Sequence, residues 1–247
     1  MALSRPVTIP STLRRWWREG LARDGFRQTV FNLANHLWQF LRESTPAQRR
    51  QRYGDADYDW DFRVDTTSAT VSWRDRLLGE FHSCYQPTEP ALFREMMATM
   101  SSLEIDFRDF TFIDVGSGKG RVLLMAADYP FHRVLGVELL PALHRVAQAN
   151  LRAYKSESQR CFALETVAAD ARGFAFPVAP IVLYLFNPLP EAALIEMMAN
   201  LERSLDENPR TVYVLYHNPL LEHVLAGHWG FQKIVGGHQY SIFRTRA

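Results

Sequence analysis

The chain of 247 residues has only two cysteines, Cys84 and Cys161, far apart and outside any CxxC spacing. A disulfide framework and a cysteine-based zinc site are both excluded by that count, and no metal is expected. Lysine is nearly missing: Lys119, Lys155 and Lys233 are the whole set, so arginine carries most of the positive charge. No run approaches the roughly 18 apolar residues that cross a bilayer. The longest, residues 178–186, is interrupted by Pro180. The opening Met-Ala-Leu-Ser-Arg-Pro lacks an apolar core followed by a small-residue cleavage site, so a soluble, cytoplasmic protein is expected.

What is present is an ordinary globular composition, 47% hydrophobic and 22% charged, long enough to bury a core without staples. Charge is unevenly spread. Residues 1–54 hold ten arginines against Glu19, Asp24 and Glu43, a net +7, so the total of +1 leaves −6 on the rest. Within that head, Phe26, Val30, Leu33, Leu37 and Leu41 recur at helical steps between arginines, with Trp16, Trp17 and Trp38 nearby. This periodicity predicts an amphipathic helix over 12–41, ended by Ser44-Thr45-Pro46. Such a face packs on its own domain or a dimer partner, or lies on a membrane surface.

Three regions follow: a basic helical extension (1–50), a polar, aromatic-rich connector or lid (51–88), and a catalytic domain (89–247). From Pro90 on, helix and strand signals alternate. Helices are expected at 91–103, 120–128, 141–154, 191–205 and 220–226. Strands are expected at 111–115, 133–138, 162–169, 181–186, 211–216, 231–235 and 238–243. The last two are joined through Gly236-Gly237, a hairpin signal. The alternation predicts an α/β fold, a doubly wound, mostly parallel sheet with helices on both faces.

Chemistry concentrates at the first strand's end. Asp114-Val115-Gly116-Ser117-Gly118-Lys119-Gly120 follows an apolar strand and opens a helix, the setting of a nucleotide-binding turn. Its G-x-G-x-G spacing differs from the G-x-G-x-x-G of dinucleotide enzymes. Asp114 is an awkward neighbour for a pyrophosphate and a good one for an ammonium or sulfonium. Glu138 ends the next strand, where an acid can accept both ribose hydroxyls. Asp170 follows the third strand, near where an adenine edge would lie; an acid there can equally cap a helix.

At these residues, and across about 85–245, the chain resembles the class I, Rossmann-like S-adenosylmethionine-dependent methyltransferases. The resemblance implies a seven-stranded sheet with a final antiparallel hairpin and S-adenosyl-L-methionine across the C-terminal strand edges. It further implies that Asp114, Gly116 and Gly118 line the methionine side, Ser117 and Gly120 also bind the cofactor, Glu138 holds the ribose and Asp170 lies near the adenine. Tyr85-Gln86-Pro87-Thr88-Glu89-Pro90 is similar to the cofactor-closing segment of Rossmann-fold protein-lysine methyltransferases, although Thr88 also reads as a helix N-cap.

Asn187-Pro188-Leu189-Pro190 ends the fourth strand. It matches the Asn-Pro half of the Asn/Asp-Pro-Pro-aromatic motif of several amino-group methyltransferases and lacks the Pro-aromatic half. The same residues read as a turn in which Asn187 caps and Pro190 starts the next helix. Asn187, which would also border the cofactor, Tyr85 and His217 are the candidates for orienting an acceptor. A nucleophile elbow and a P-loop are absent. The expected activity is methyl transfer to an amine, such as a protein side chain. An RNA or small-molecule acceptor on the same fold, and a cofactor-binding scaffold without turnover, are the alternatives.

Overall fold

Five wholly buried residues, Thr111–Val115, form β1, and the rest of the sheet is assembled around it. The computed structural model describes residues 17–18, 21–23, 25–34, 38, 56–66, 87–227 and 230–246. The described residues of the N-terminal region are helical, and Phe26, Val30, Phe31 and Trp38 are exposed there.

In chain order the elements are α1 (Ala56–Phe62), α2 (Pro90–Ser101), β1, α3 (Arg121–Ala126), β2 (Arg133–Glu138), α4 (Pro141–Ala153) and β3 (Leu164–Ala168). They continue with β4 (Ile181–Leu185), α5 (Glu191–Glu207), β5 (Val212–His217), α6 (Glu222–Gly227), β6 (Phe231–Gly236) and β7 (Tyr240–Thr245). The seven strands lie in the order β3-β2-β1-β4-β5-β7-β6. The first five are mutually parallel, and β7 runs antiparallel to both β5 and β6. The α/β fold read from the sequence is therefore present, with the terminal hairpin, although its second strand spans Tyr240–Thr245 rather than 238–243. β3 begins two residues later than its apolar pattern suggested, because Phe162 is exposed rather than paired.

Period-two alternation sends side chains to two cores. Ile113, Val115, Leu183 and Leu185 meet Leu194, Met197, Met198 and Leu201 of α5 on one face. Phe112, Val134, Val182 and Tyr184 meet Phe93, Met96, Met97 and Met100 of α2 on the other. Asp114 shares the α2 face with Phe112, and the register places Tyr184 directly beside it. β1 is central, and the chain leaves it toward β2 and β3 on one side and β4 and β5 on the other. That reversal of strand order opens a crevice at the C-terminal ends of β1 and β4, where open α/β sheets bind ligands.

The described part of the connector packs onto the domain. Tyr58, Phe62 and Val64 cover Leu124, Ala127 and Tyr154. Beneath them, Lys119 Nζ bonds Asp65 Oδ1 at 2.5 Å, and Arg121 Nε donates to Thr66 Oγ1 at 2.7 Å. The Arg121 guanidinium also pairs with Asp59 at 3.4 Å. Both cations are buried at a helix N-terminus, where the helix dipole opposes positive charge. The acids of the connector offset that penalty.

Candidate active site

The crevice is a cavity of about 310 Å3 bordered by the glycine turn, Glu138, Asp170, Tyr184, Asn187 and Asn218. That volume lies at the small end of the range for ligand pockets. The turn is built on left-handed backbone: Gly116, Gly118 and Gly120 have φ of 74°, 54° and 86°. At Gly116 a Cβ would stand 2.7 Å from Pro188 Cβ, and at Gly120 one would stand 3.3 Å from Ala147 Cβ. Glycine is needed at both places for the turn to close.

Asp114 is 3% exposed and borders the cavity. It has no hydrogen-bond or ion-pair partner among the described residues, and burial, then the charge of Glu138, pushes its carboxyl well above the usual range. Ser117 Oγ is likewise buried without a partner. Two unmatched polar groups at a crevice are a cost that a bound ligand would offset. Glu138 is held rigidly: Oε2 accepts from Gly118 N and Oε1 from Leu140 N, both at 2.7 Å. Its pKa is raised by burial, against the lowering effect of those amides. Each oxygen keeps a lone pair for further acceptance.

Asp170 borders the cavity and also caps a short 3-10 turn, accepting from Arg172 N at 3.1 Å and pairing with its guanidinium. Asn187 adopts a φ of 44°. Its side-chain amide donates to Asn218 O at 2.7 Å and accepts from Tyr216 OH at 2.9 Å. It does not cap α5, whose N-cap position is Pro190. Thr88 does not cap α2 either: the N-cap position is Glu89, and Thr88 Oγ1 bonds the Tyr184 hydroxyl instead. His217 lies behind the wall, its Nδ1 on the Tyr184 hydroxyl. Tyr85 lies outside the described residues.

Reasoning from the sequence missed Tyr184 and Arg121, which both border the cavity. Tyr184 is embedded in an apolar strand and gives no local signal. Lys119, inside the glycine turn, is a buried partner of Asp65.

The residues present fit a nucleoside carrying a cationic tail: an acid with spare acceptor capacity at the end of β2, and an unmatched buried carboxylate at the end of β1. A seven-stranded sheet in this order, with its antiparallel β7 and a glycine turn after β1, is a doubly wound, Rossmann-like α/β fold. Several solved structures are similar to the chain. A ribosomal protein L11 methylase from Lactobacillus delbrueckii subsp. bulgaricus is 16% identical, with 66% of this chain and 80% of that one covered and a TM-score of 0.46. A magnesium protoporphyrin IX methyltransferase from Synechocystis PCC 6803, with S-adenosylmethionine bound, is 13% identical, with 80% and 95% covered and a TM-score of 0.48. An RNA methyltransferase from Salinibacter ruber, in complex with S-adenosylhomocysteine, is 20% identical, with 65% and 92% covered and a TM-score of 0.40. No protein-family model matches the chain, and neither does any curated protein. Among the described residues no helix is long and apolar enough to cross a membrane.

Proposed function

We propose that the chain is an S-adenosylmethionine-dependent methyltransferase acting on a nitrogen acceptor, such as an amine of a protein side chain. The observation that carries this reading is the buried, unpartnered carboxylate of Asp114 beside a left-handed glycine turn. A carboxyl so placed gives a phosphate no cation to pair with, and it becomes a charged partner for an ammonium-bearing ligand that displaces its proton. The cofactor, when bound, supplies a methyl group on a positively charged sulfur.

The protein's own part is alignment. Glu138 holds the ribose hydroxyls on a carboxylate already braced by two amides. Asp114 takes the ammonium, and the backbone at Gly116 and Gly118 lets the ligand lie close. An acceptor would then lie over β4 and β5, on the side of the cavity bordered by Tyr184, Asn187 and Asn218. Holding nucleophile and methyl in line removes much of the entropic barrier. Burial holds the His217 imidazole down to about 4, so it stays neutral and is a poor base at physiological pH. The amine enters uncharged, or sheds its proton to water before binding. The second lone pair of Asn187 Oδ1, whose first takes the Tyr216 proton, is available to an acceptor N–H.

Calorimetry with S-adenosylhomocysteine tests the cofactor assignment. Glu138→Ala should weaken binding at least about tenfold, since it removes an acceptor of charge-assisted hydrogen bonds. Unchanged affinity would sink the assignment. Tritium transfer from labelled cofactor into separate protein, RNA and metabolite pools tests the acceptor: label confined to RNA would overturn the side-chain reading. An absence of label in every pool would overturn turnover itself.

A further inference from the structure

Thr88, Tyr184 and His217 come from the segment before α2, from β4 and from the end of β5, yet they meet in one hydrogen-bonded chain. Thr88 Oγ1 and the Tyr184 hydroxyl are 2.8 Å apart, and that hydroxyl is 2.8 Å from His217 Nδ1. All three are buried, at 2%, 1% and 7% exposure. Phe186 stacks on the imidazole with ring centres 3.8 Å apart, fixing the plane of the ring. Thr88 and Tyr184 border the cavity and His217 does not. Tyr184 is also the direct register neighbour of Asp114. Its hydroxyl therefore lies at the seam between the cofactor side and the acceptor side.

The direction of this chain decides what the cavity meets. A neutral imidazole carries one N–H and one bare nitrogen. If Nδ1 is bare, Tyr184 donates to it and Thr88 donates to Tyr184, so both hydroxyls turn only lone pairs toward the cavity. If Nδ1 carries the proton, it donates to Tyr184, and one hydroxyl proton, that of Thr88 or of Tyr184, is left free for the cavity. The difference matters for an amine. A surface of lone pairs accepts its N–H and leaves the nitrogen lone pair free to attack. A donor would tie that lone pair up.

We propose that Tyr184 and Thr88 form an accepting surface for the N–H of the methyl acceptor, and that His217 is the positioning residue that sets its direction by keeping Nδ1 bare. The inference rests on the methyl-transfer reading above and adds the polarity of the acceptor site. Acceptors with an N–H beside a free lone pair are favoured, and nitrogens without an N–H are not.

Nitrogen-15 spectra of the wild-type protein should show His217 protonated on Nε2; an Nδ1–H tautomer overturns the proposal. The acceptor pool that takes tritium from labelled S-adenosylmethionine then serves as the probe for Tyr184→Phe, His217→Leu and His217→Asn. The first two should bind S-adenosylhomocysteine within about threefold of wild type while transfer falls at least about tenfold, the scale of one or two lost hydrogen bonds. His217→Asn, whose amide oxygen can accept from Tyr184, should recover most of the loss. The double variant Tyr184→Phe/His217→Leu should be no worse than either single change, because the two act as one unit. Wild-type transfer in Tyr184→Phe, or additive losses, overturns this inference alone. Failure of the wild-type protein to bind S-adenosylhomocysteine overturns the methyl-transfer reading beneath it.

Discussion

Lys119 and Asp65 meet at 2.5 Å across 54 residues of sequence, joining the glycine turn to a segment that precedes the sheet. Asn150 braces the pair: its side-chain amide donates to the backbone oxygens of both Asp65 and Lys119 and accepts from Asp65 N. Lys119 is buried and Asp65 is half exposed. Asp65→Asn leaves the ammonium buried with weaker compensation. The expected loss is about 1–3 kcal/mol, below the 3–5 kcal/mol of a fully buried pair because solvent reaches Asp65. A urea titration checks this, and an unchanged midpoint would show that the connector does not brace the turn.

Asp114 sets stability against binding. Its raised carboxyl means that the native state binds a proton the unfolded chain has lost. Stability therefore falls as pH rises from the unfolded value through the folded one. Asp114→Asn removes that cost, so its melting temperature at neutral pH should exceed wild type, by about 2–4 °C per kcal/mol recovered. The same change should weaken S-adenosylhomocysteine binding at neutral pH. For the wild type, affinity should also drop as pH falls through the raised pKa, since an ammonium ligand must expel the proton. Calorimetry in buffers of different ionisation enthalpy measures that release. A variant that is both less stable and equally tight-binding would contradict this role.

His217 acts with the opposite sign. Burial depresses its imidazole to about 4, below the roughly 6.5 of an unfolded chain. Between these values the unfolded state binds more protons. The stability this group contributes is complete above about 6.5 and lost as pH falls toward the folded value. His217→Asn does not titrate there, so its melting temperature should fall less than wild type between about pH 7 and pH 5. Parallel falls would argue that the ring is not held neutral.

Gly116→Ala tests the turn. A φ of 74° and a Cβ meeting Pro188 at 2.7 Å combine left-handed strain with a collision. The strain alone costs about 1–2 kcal/mol, and displacement of Pro188 should carry Asn187 with it. Lower thermal stability together with weaker S-adenosylhomocysteine binding is expected. Wild-type values of both would mean that the turn opens freely.

The parts of the site visible in the sequence were those built from neighbours along the chain. Asp114 and the three glycines share one turn, and Glu138 ends a strand whose apolar run is unmistakable. Strand boundaries such as 111–115 and 133–138 were legible because buried parallel strands read as continuous apolar runs. What stayed hidden depends on distant contacts. Thr88 reads as a helix cap until Tyr184 is placed 2.8 Å away by the packing of α2 on β4. Arg121 carries no signal in the sequence, and its burial is met by Thr66 and Asp59 from the connector. Asn187 reads as a cap or a substrate ligand, and only its bonds to Tyr216 and Asn218 show how its amide is held.

The place of β7 between β5 and β6 has a consequence for synthesis. Tyr184, Asn187 and Asn218, which border the crevice, are made before residues 240–245, yet β5 borders open solvent until β7 pairs with Tyr213–His217. Asn218, at the rim of the cavity, is anchored by a bond to Gln239 O that also waits for this segment. A nascent chain thus carries a half with the glycine turn and Glu138 that can fold early, next to an unpaired apolar strand edge that invites association with other chains. Completion of the β4–β5 side of the crevice and protection from aggregation arrive in the same step.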